Sequence, residues 1–264
     1  MQKKTSWGAP LNMGLLALAG LVLTGCGKQA PDCTSGDTGK TLKGIVAQSV
    51  IATVNASGAL PNETKAKVEK YLDGIKLAFG TTVETAYDKE AKLRSCQGQY
   101  SLSTPTGEKW EVSDSQWSAQ VTSDGKDFVV KLPQLIASNL GSRVYSDLRA
   151  HLIAEKKLVG SWVGSVSCPR PEGEDSTAPA QKKFPLTLSI DVRAQLDGKT
   201  LLQSGGHTDF SGNVDPFTDE VSIDLAVMTP EGSQKSRHGP YTGKLNGNAL
   251  QMKLGACSVD LKRQ

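Results

Sequence analysis

VGSWVGSVSC, residues 159–168, sets Trp162, Gly164 and Val166 on one side of an extended chain and Ser161, Val163 and Ser165 on the other. Successive side chains of a strand point to opposite faces of its sheet, so this period of two predicts a strand with one buried face. The alternation returns downstream. Phe184 to Val192 places Leu186, Leu188, Ile190 and Val192 on one face, and Glu220 to Met228 does the same with Val221, Ile223, Leu225 and Val227. Tyr241 to Leu245 and Ala249 to Leu254 flank Asn246-Gly247-Asn248, a hairpin signal because Asn and Gly tolerate positive φ. Cys257, Val259 and Leu261 give a last strand. Seven or eight short strands joined by Gly-rich turns predict an all-β small barrel or sandwich over residues 158–264. Within it, Pro169 to Lys183 (PRPEGEDSTAPAQKK) lacks apolar residues and reads as a mobile loop.

Upstream the period changes. From Thr38 to Ala56, Leu42, Ile45, Val46, Val50 and Val54 fall at the spacing of a helix with one buried stripe, which Gly58 and Pro61 end. A shorter helix is expected through Val68, Tyr71, Leu72 and Ile75, capped by Asn62 or Thr64. Thr81, Val83, Thr85 and Tyr87 then read as one strand, a turn at Asp88 to Lys92 follows, and Cys96, Tyr100 and Leu102 return as a hairpin. Further strands are expected at Trp110 and Val112, at Trp117, Ala119 and Val121, and at Phe128, Val130 and Leu132, with Ser123 to Asp127 as a tight turn. After Pro133, Ile136, Leu140, Val144, Leu148 and Leu152 descend in helical steps. Residues 33–157 are therefore expected to form an α+β domain, helices packed on an antiparallel sheet, ahead of the β domain.

The first 25 residues are of another kind. Lys3 and Lys4 precede the apolar run Leu11 to Leu23, and Thr24 and Gly25 supply small residues before Cys26. About 13 apolar residues fall short of the roughly 20 that span a bilayer, so the run reads as a signal peptide and not as a membrane helix. Leu23-Thr24-Gly25-Cys26 resembles the lipobox of bacterial lipoproteins. The resemblance implies a diacylglyceryl thioether on Cys26, cleavage before it, and N-acylation of the new terminus. In such proteins an Asp after the lipid cysteine retains the chain in the inner membrane, so Gly27 implies the periplasmic face of the outer membrane. Residues 26–32 would be the lipidated cysteine and a tether of roughly 20 Å.

Four cysteines remain: Cys33, Cys96, Cys168 and Cys257. An even number in an oxidising compartment predicts two disulfides, with three connectivities open. The sequential pairing, Cys33 with Cys96 and Cys168 with Cys257, closes one loop in each half, and each closure would contribute roughly 4 kcal/mol in the chain-entropy account. No C-x-x-C spacing suggests zinc. Loss of Lys3 and Lys4 with the signal lowers the formal charge from +3 to about +1, a balance that excludes a nucleic-acid partner.

Motifs for chemistry are few. Ser35 to Thr41 (SGDTGKT) approaches a P-loop, but Thr34 stands where its first glycine should be and no strand precedes it, so a helix N-terminus is expected. Of the three histidines, His151 falls in the last helix of the α+β region. His207 and Asp209 would share a strand face, and with His238 they are the candidate metal set, two nitrogens and a carboxylate. There is no H-E-x-x-H, no G-x-S-x-G and no S-x-x-K accompanied by K-T-G. No catalytic residue and no cofactor are assigned, and nothing selects a carboxylate pair for glycoside cleavage. Trp110 and Trp117 read either as core residues or as platforms for sugars.

Two further resemblances bear on function. TTVETAYDKEAKLRSCQGQYSL, residues 81–102, is similar to a module of bacterial lipoproteins in which an early cysteine pairs with one just past a hairpin turn; it implies a fold and a disulfide, and no activity. The G-S-W-V-G opening and closing cysteine strand of the β region resemble small calycin-type barrels of secreted bacterial proteins. The expected function is a non-enzymatic binding or adaptor module at the cell envelope, held to the membrane by lipid, with an envelope protein or peptidoglycan as partner. The alternatives are an unrecognised envelope hydrolase and a periplasmic inhibitor. Ser236 to Thr242 resembles the exposed Ser-Gly-x-x-Tyr loop of one group of lysozyme inhibitors, although Arg237 and His238 interrupt the Ser-Gly order.

Overall fold

The computed structural model describes residues 23–24, 29–169, 181–201 and 205–264. Cys26, most of the expected signal peptide and residues 170–180 of the expected loop lie outside the described residues.

The first region is helices on a sheet. A two-residue strand, β1 (Leu23–Thr24), precedes α1 (Gly36–Ala56), α2 (Asn62–Asp73), β2 (Lys76–Asp88), β3 (Leu93–Ser103), β4 (Lys109–Val121), β5 (Asp127–Lys131) and α3 (Gln134–Glu155). The strands are antiparallel in the order β1-β5-β4-β3-β2. The apolar stripe of α1 (Leu42, Val46, Val50, Val54) and that of α3 (Leu140, Val144, Leu148, Leu152) are buried with Tyr100, Leu102, Trp117, Ala119 and Val130 of the sheet. SGDTGKT is the start of α1: Ser35 is its cap, its hydroxyl accepting from the Thr38 amide at 3.1 Å. α2 starts differently from expectation. Pro61 occupies its cap position without a side-chain bond, and Thr64 is buried as an acceptor for Lys156.

Bulges correct the sequence pattern in this sheet. Trp110 and Val112 belong to one strand with Trp117, Ala119 and Val121. Between them β4 carries an extra residue opposite β3, and Asp114 takes φ +56° there, which moves the inward positions from even to odd numbers. β2 has two such irregularities. Thr81, Val83 and Thr85 therefore do not share the packed face with Tyr87: all three are exposed, Val83 at 55%.

The second region is a closed eight-stranded antiparallel barrel. Its strands are β6 (Gly160–Pro169), β7 (Gln181–Ile190), β8 (Gln195–Leu201), β9 (His207–Val214), β10 (Glu220–Met228), β11 (Gln234–Asn246), β12 (Ala249–Leu254) and β13 (Cys257–Arg263). Each pairs with its chain neighbour, and β13 returns to β6. Eight strands leave an interior that side chains fill, here Trp162, Leu186, Leu188, Leu196, Phe210, Ile223, Leu250 and Leu261 among others. The Trp162 indole donates to the Leu158 carbonyl at 3.1 Å, so its burial leaves no orphan N–H. Gly164 lies on the closing seam, where a Cβ would run into the Asp260 carbonyl. Two details differ from the sequence reading. Val192 lies past the end of β7 and is 72% exposed. Pro169, Gln181, Lys182 and Lys183, at the two ends of the expected loop, pair within the β6–β7 ladder.

Disulfides join Cys33 to Cys96 and Cys168 to Cys257, one in each region. No helix among the described residues is long and apolar enough to cross a membrane.

The two cores exchange residues at the junction. Phe217, in the β9–β10 turn of the barrel, is fully buried in the first core and stacks on Tyr145 of α3 with ring centroids 5.3 Å apart. Lys156, just past α3, binds Asp219 at 2.7 Å and Thr64 at 3.2 Å, and Arg149 donates to the Arg193 carbonyl at 2.8 Å. Ile153 of α3 packs into the barrel's core in return.

Candidate functional site

The candidate metal set is only partly assembled. His207 Nε2 stands 3.4 Å from Asp209 Oδ1 on β9. His238 is on β11, beyond β10, where its ring bonds Ser236 at 3.0 Å. Two inter-strand spacings, about 9.5 Å, separate β9 from β11, and the register aligns His238 with Leu225 and Phe210 rather than with His207 or Asp209. No group of three metal-ligating side chains occurs among the described residues. Ser236 to Thr242 lies inside β11, not in a loop, and Arg237 is paired with Asp224 at 3.1 Å. The likeness to an inhibitor loop therefore has no counterpart in the fold.

The tryptophans part company. Trp117 is buried and donates to the Cys33 carbonyl at 3.2 Å. Trp110 is half-buried: its indole packs against the edge of the core and lines an open cleft of about 460 Å³. Glu108, Ser142, Arg143, Ser146 and Asp147 line the rest. The start of β4 supplies the aromatic floor. The middle of α3 supplies the polar wall, because residues 142 and 146, and 143 and 147, are helical i, i+4 pairs on the flank of its buried stripe. Gly141 beside them lets α3 lie close on α1, where a Cβ would run into Ser49.

Asp147 is held from behind. Tyr71 and Thr106 both donate to its Oδ2, Thr106 at 2.5 Å, and Thr104 meets Thr106 at 2.8 Å. Burial, followed by the Asp147 carboxylate, pushes the Tyr71 phenol well above its ordinary value, so it stays protonated and donating. His151 lies against the Tyr71 ring, centroids 5.5 Å apart, with Glu155 at 3.7 Å from its Nε2. Glu155 in turn meets Lys67 at 3.2 Å. This network fixes the carboxylate's rotamer while both of its bonds fall on one oxygen, which leaves Oδ1 for a ligand. An aromatic face flanked by two carboxylates, a guanidinium and two hydroxyls can stack on a sugar ring and bond its hydroxyls.

A larger hollow, about 670 Å³, lies over the outer wall of β11 to β13. Lys244, Lys253, Gln251 and Asp260 line it, and none of its lining residues is aromatic. Sequence reasoning named Trp110 but not its neighbours. The available signal was the run of polar residues at 142, 143, 146 and 147 beside the apolar stripe of α3.

No family model, no curated protein and no solved structure matches this chain.

Proposed function

We propose that this protein is a lipid-anchored lipoprotein at the periplasmic face of the outer membrane that binds a glycan of the cell envelope, peptidoglycan foremost, without cleaving it. The lipobox supports the anchor. The observation that carries the binding reading is the Trp110 cleft: a half-buried indole secured on one face by the core, with Asp147 held by Tyr71 and Thr106 beside it. Pre-set side chains lose little freedom on binding, which favours recognition in an open, polar cleft.

Co-sedimentation of the mature protein with purified peptidoglycan sacculi tests this. Wild type should pellet saturably, and Trp110→Ala should bind about tenfold more weakly, the equivalent of roughly 1.4 kcal/mol of lost stacking. Arg143→Ala should weaken binding without touching the core. Equal pelleting of all three proteins would remove the cleft from the account, and release of soluble sugars by the protein would replace binding with hydrolysis.

A further inference from the structure

Resting on the anchor proposed above, the structure also assigns the surface that faces the membrane. The described end of the expected tether, residues 29–32, is held to the fold at two points. Ala30 is 3% exposed, Asp32 is paired with Arg94 of β3 at 3.3 Å, and Cys33 is bonded to Cys96. Arg94 is itself secured by Glu84 and lies 5.0 Å over the Tyr87 ring. Only Gly27, Lys28 and Gln29 separate Cys26 from buried Ala30, a reach of at most about 14 Å when fully extended.

Arg94 pairs with Tyr87 and Ala119 across the sheet, next to the β2–β3 turn at Lys89 to Lys92 and level with the β4–β5 turn at Thr122 to Lys126. We propose that these two turns rest against the phospholipid headgroup layer. Asp88 accepts from the Glu90 and Ala91 amides at 2.9 Å, and Asp124 accepts from the Lys126 amide at 3.2 Å, so the turns are shaped by their own carboxylates. Lys89, Lys92 and Lys126 stand against Asp88, Glu90 and Asp124, a balanced surface suited to zwitterionic headgroups such as phosphatidylethanolamine. β4 runs away from this end. At about 3.3 Å per residue it carries Trp110 about 35 Å from Val121, so the candidate cleft is presented away from the bilayer.

Lysine acylation followed by mass spectrometry tests the orientation, using lipidated protein in phosphatidylethanolamine-rich vesicles. A second protein carries a long Gly/Ser insertion between Lys28 and Gln29. With the native tether, Lys89 and Lys126 should react several-fold more slowly than in the detergent-solubilised protein, while Lys109 beside Trp110 reacts equally in both. The insertion should restore Lys89 and Lys126. Equal reactivity of Lys89 and Lys126 with either tether, or protection at Lys109 instead, would overturn the orientation. The mass of the N-terminal peptide reports the anchor separately: without an acylated Cys26 the anchor itself fails, and the orientation with it.

Discussion

Two tyrosines set the behaviour of single residues in the first core. Burial raises both Tyr71 and Tyr100 above the ordinary phenol value of 10.0, with the Asp147 carboxylate adding to the effect at Tyr71. For an acid whose folded-state value is raised, the stabilisation is complete below the unfolded value and is lost as pH climbs through the folded one. The protein should therefore keep its stability to about pH 10 and lose it above. In an ultraviolet titration of the native protein, two of the five tyrosines should ionise only with unfolding, and Tyr71→Phe should remove one of these late ionisations. Five tyrosines titrating together at the ordinary value would contradict this. The residues of the cleft were half legible. Trp110 is conspicuous in any sequence of low aromatic content, but whether an indole faces a core or a cleft is decided by what packs on it. His207, Asp209 and His238 show the converse: the first two do share a face of β9, but strand order sets His238 two strands away.

At the scale of elements, periodicity located the long helices and most strands because their apolar residues recur without interruption. It failed where the backbone adds a residue. The bulge at Asp114 made one strand look like two, and the irregularities of β2 turned Val83 outward. β8 went unread because Gln195, Asp197 and Lys199 leave it little apolar contrast. The β9–β10 turn carries the least legible element of all. Phe217 is a lone aromatic in a polar turn, yet it completes the core of the other region against Tyr145. Phe217→Ala should destabilise the protein by about 3 to 5 kcal/mol, as truncation of a buried aromatic does elsewhere. The loss should appear at amides of α3, which hydrogen exchange reads directly. A change confined to the barrel would show that the turn only caps its own hairpin.

For the whole molecule, fold class followed from the sequence since a change of period at Leu158 separates helix-on-sheet from all-β residues. The joining of the two regions did not, because Phe217, Lys156 and Asp219 meet across distances of more than about 60 residues that no local pattern encodes. These contacts join the two regions, and the Trp110 cleft lies at the end of the first sheet opposite Arg94 and the chain near Ala30. Titration of the mature protein with soluble glycan strands, followed by indole emission, tests that account most directly. Trp117 and Trp162 are 3% and 1% exposed, so a change in emission reports Trp110. The account predicts a saturable change that disappears in Trp110→Phe; a flat titration, or an equal change in Trp110→Phe, would contradict it.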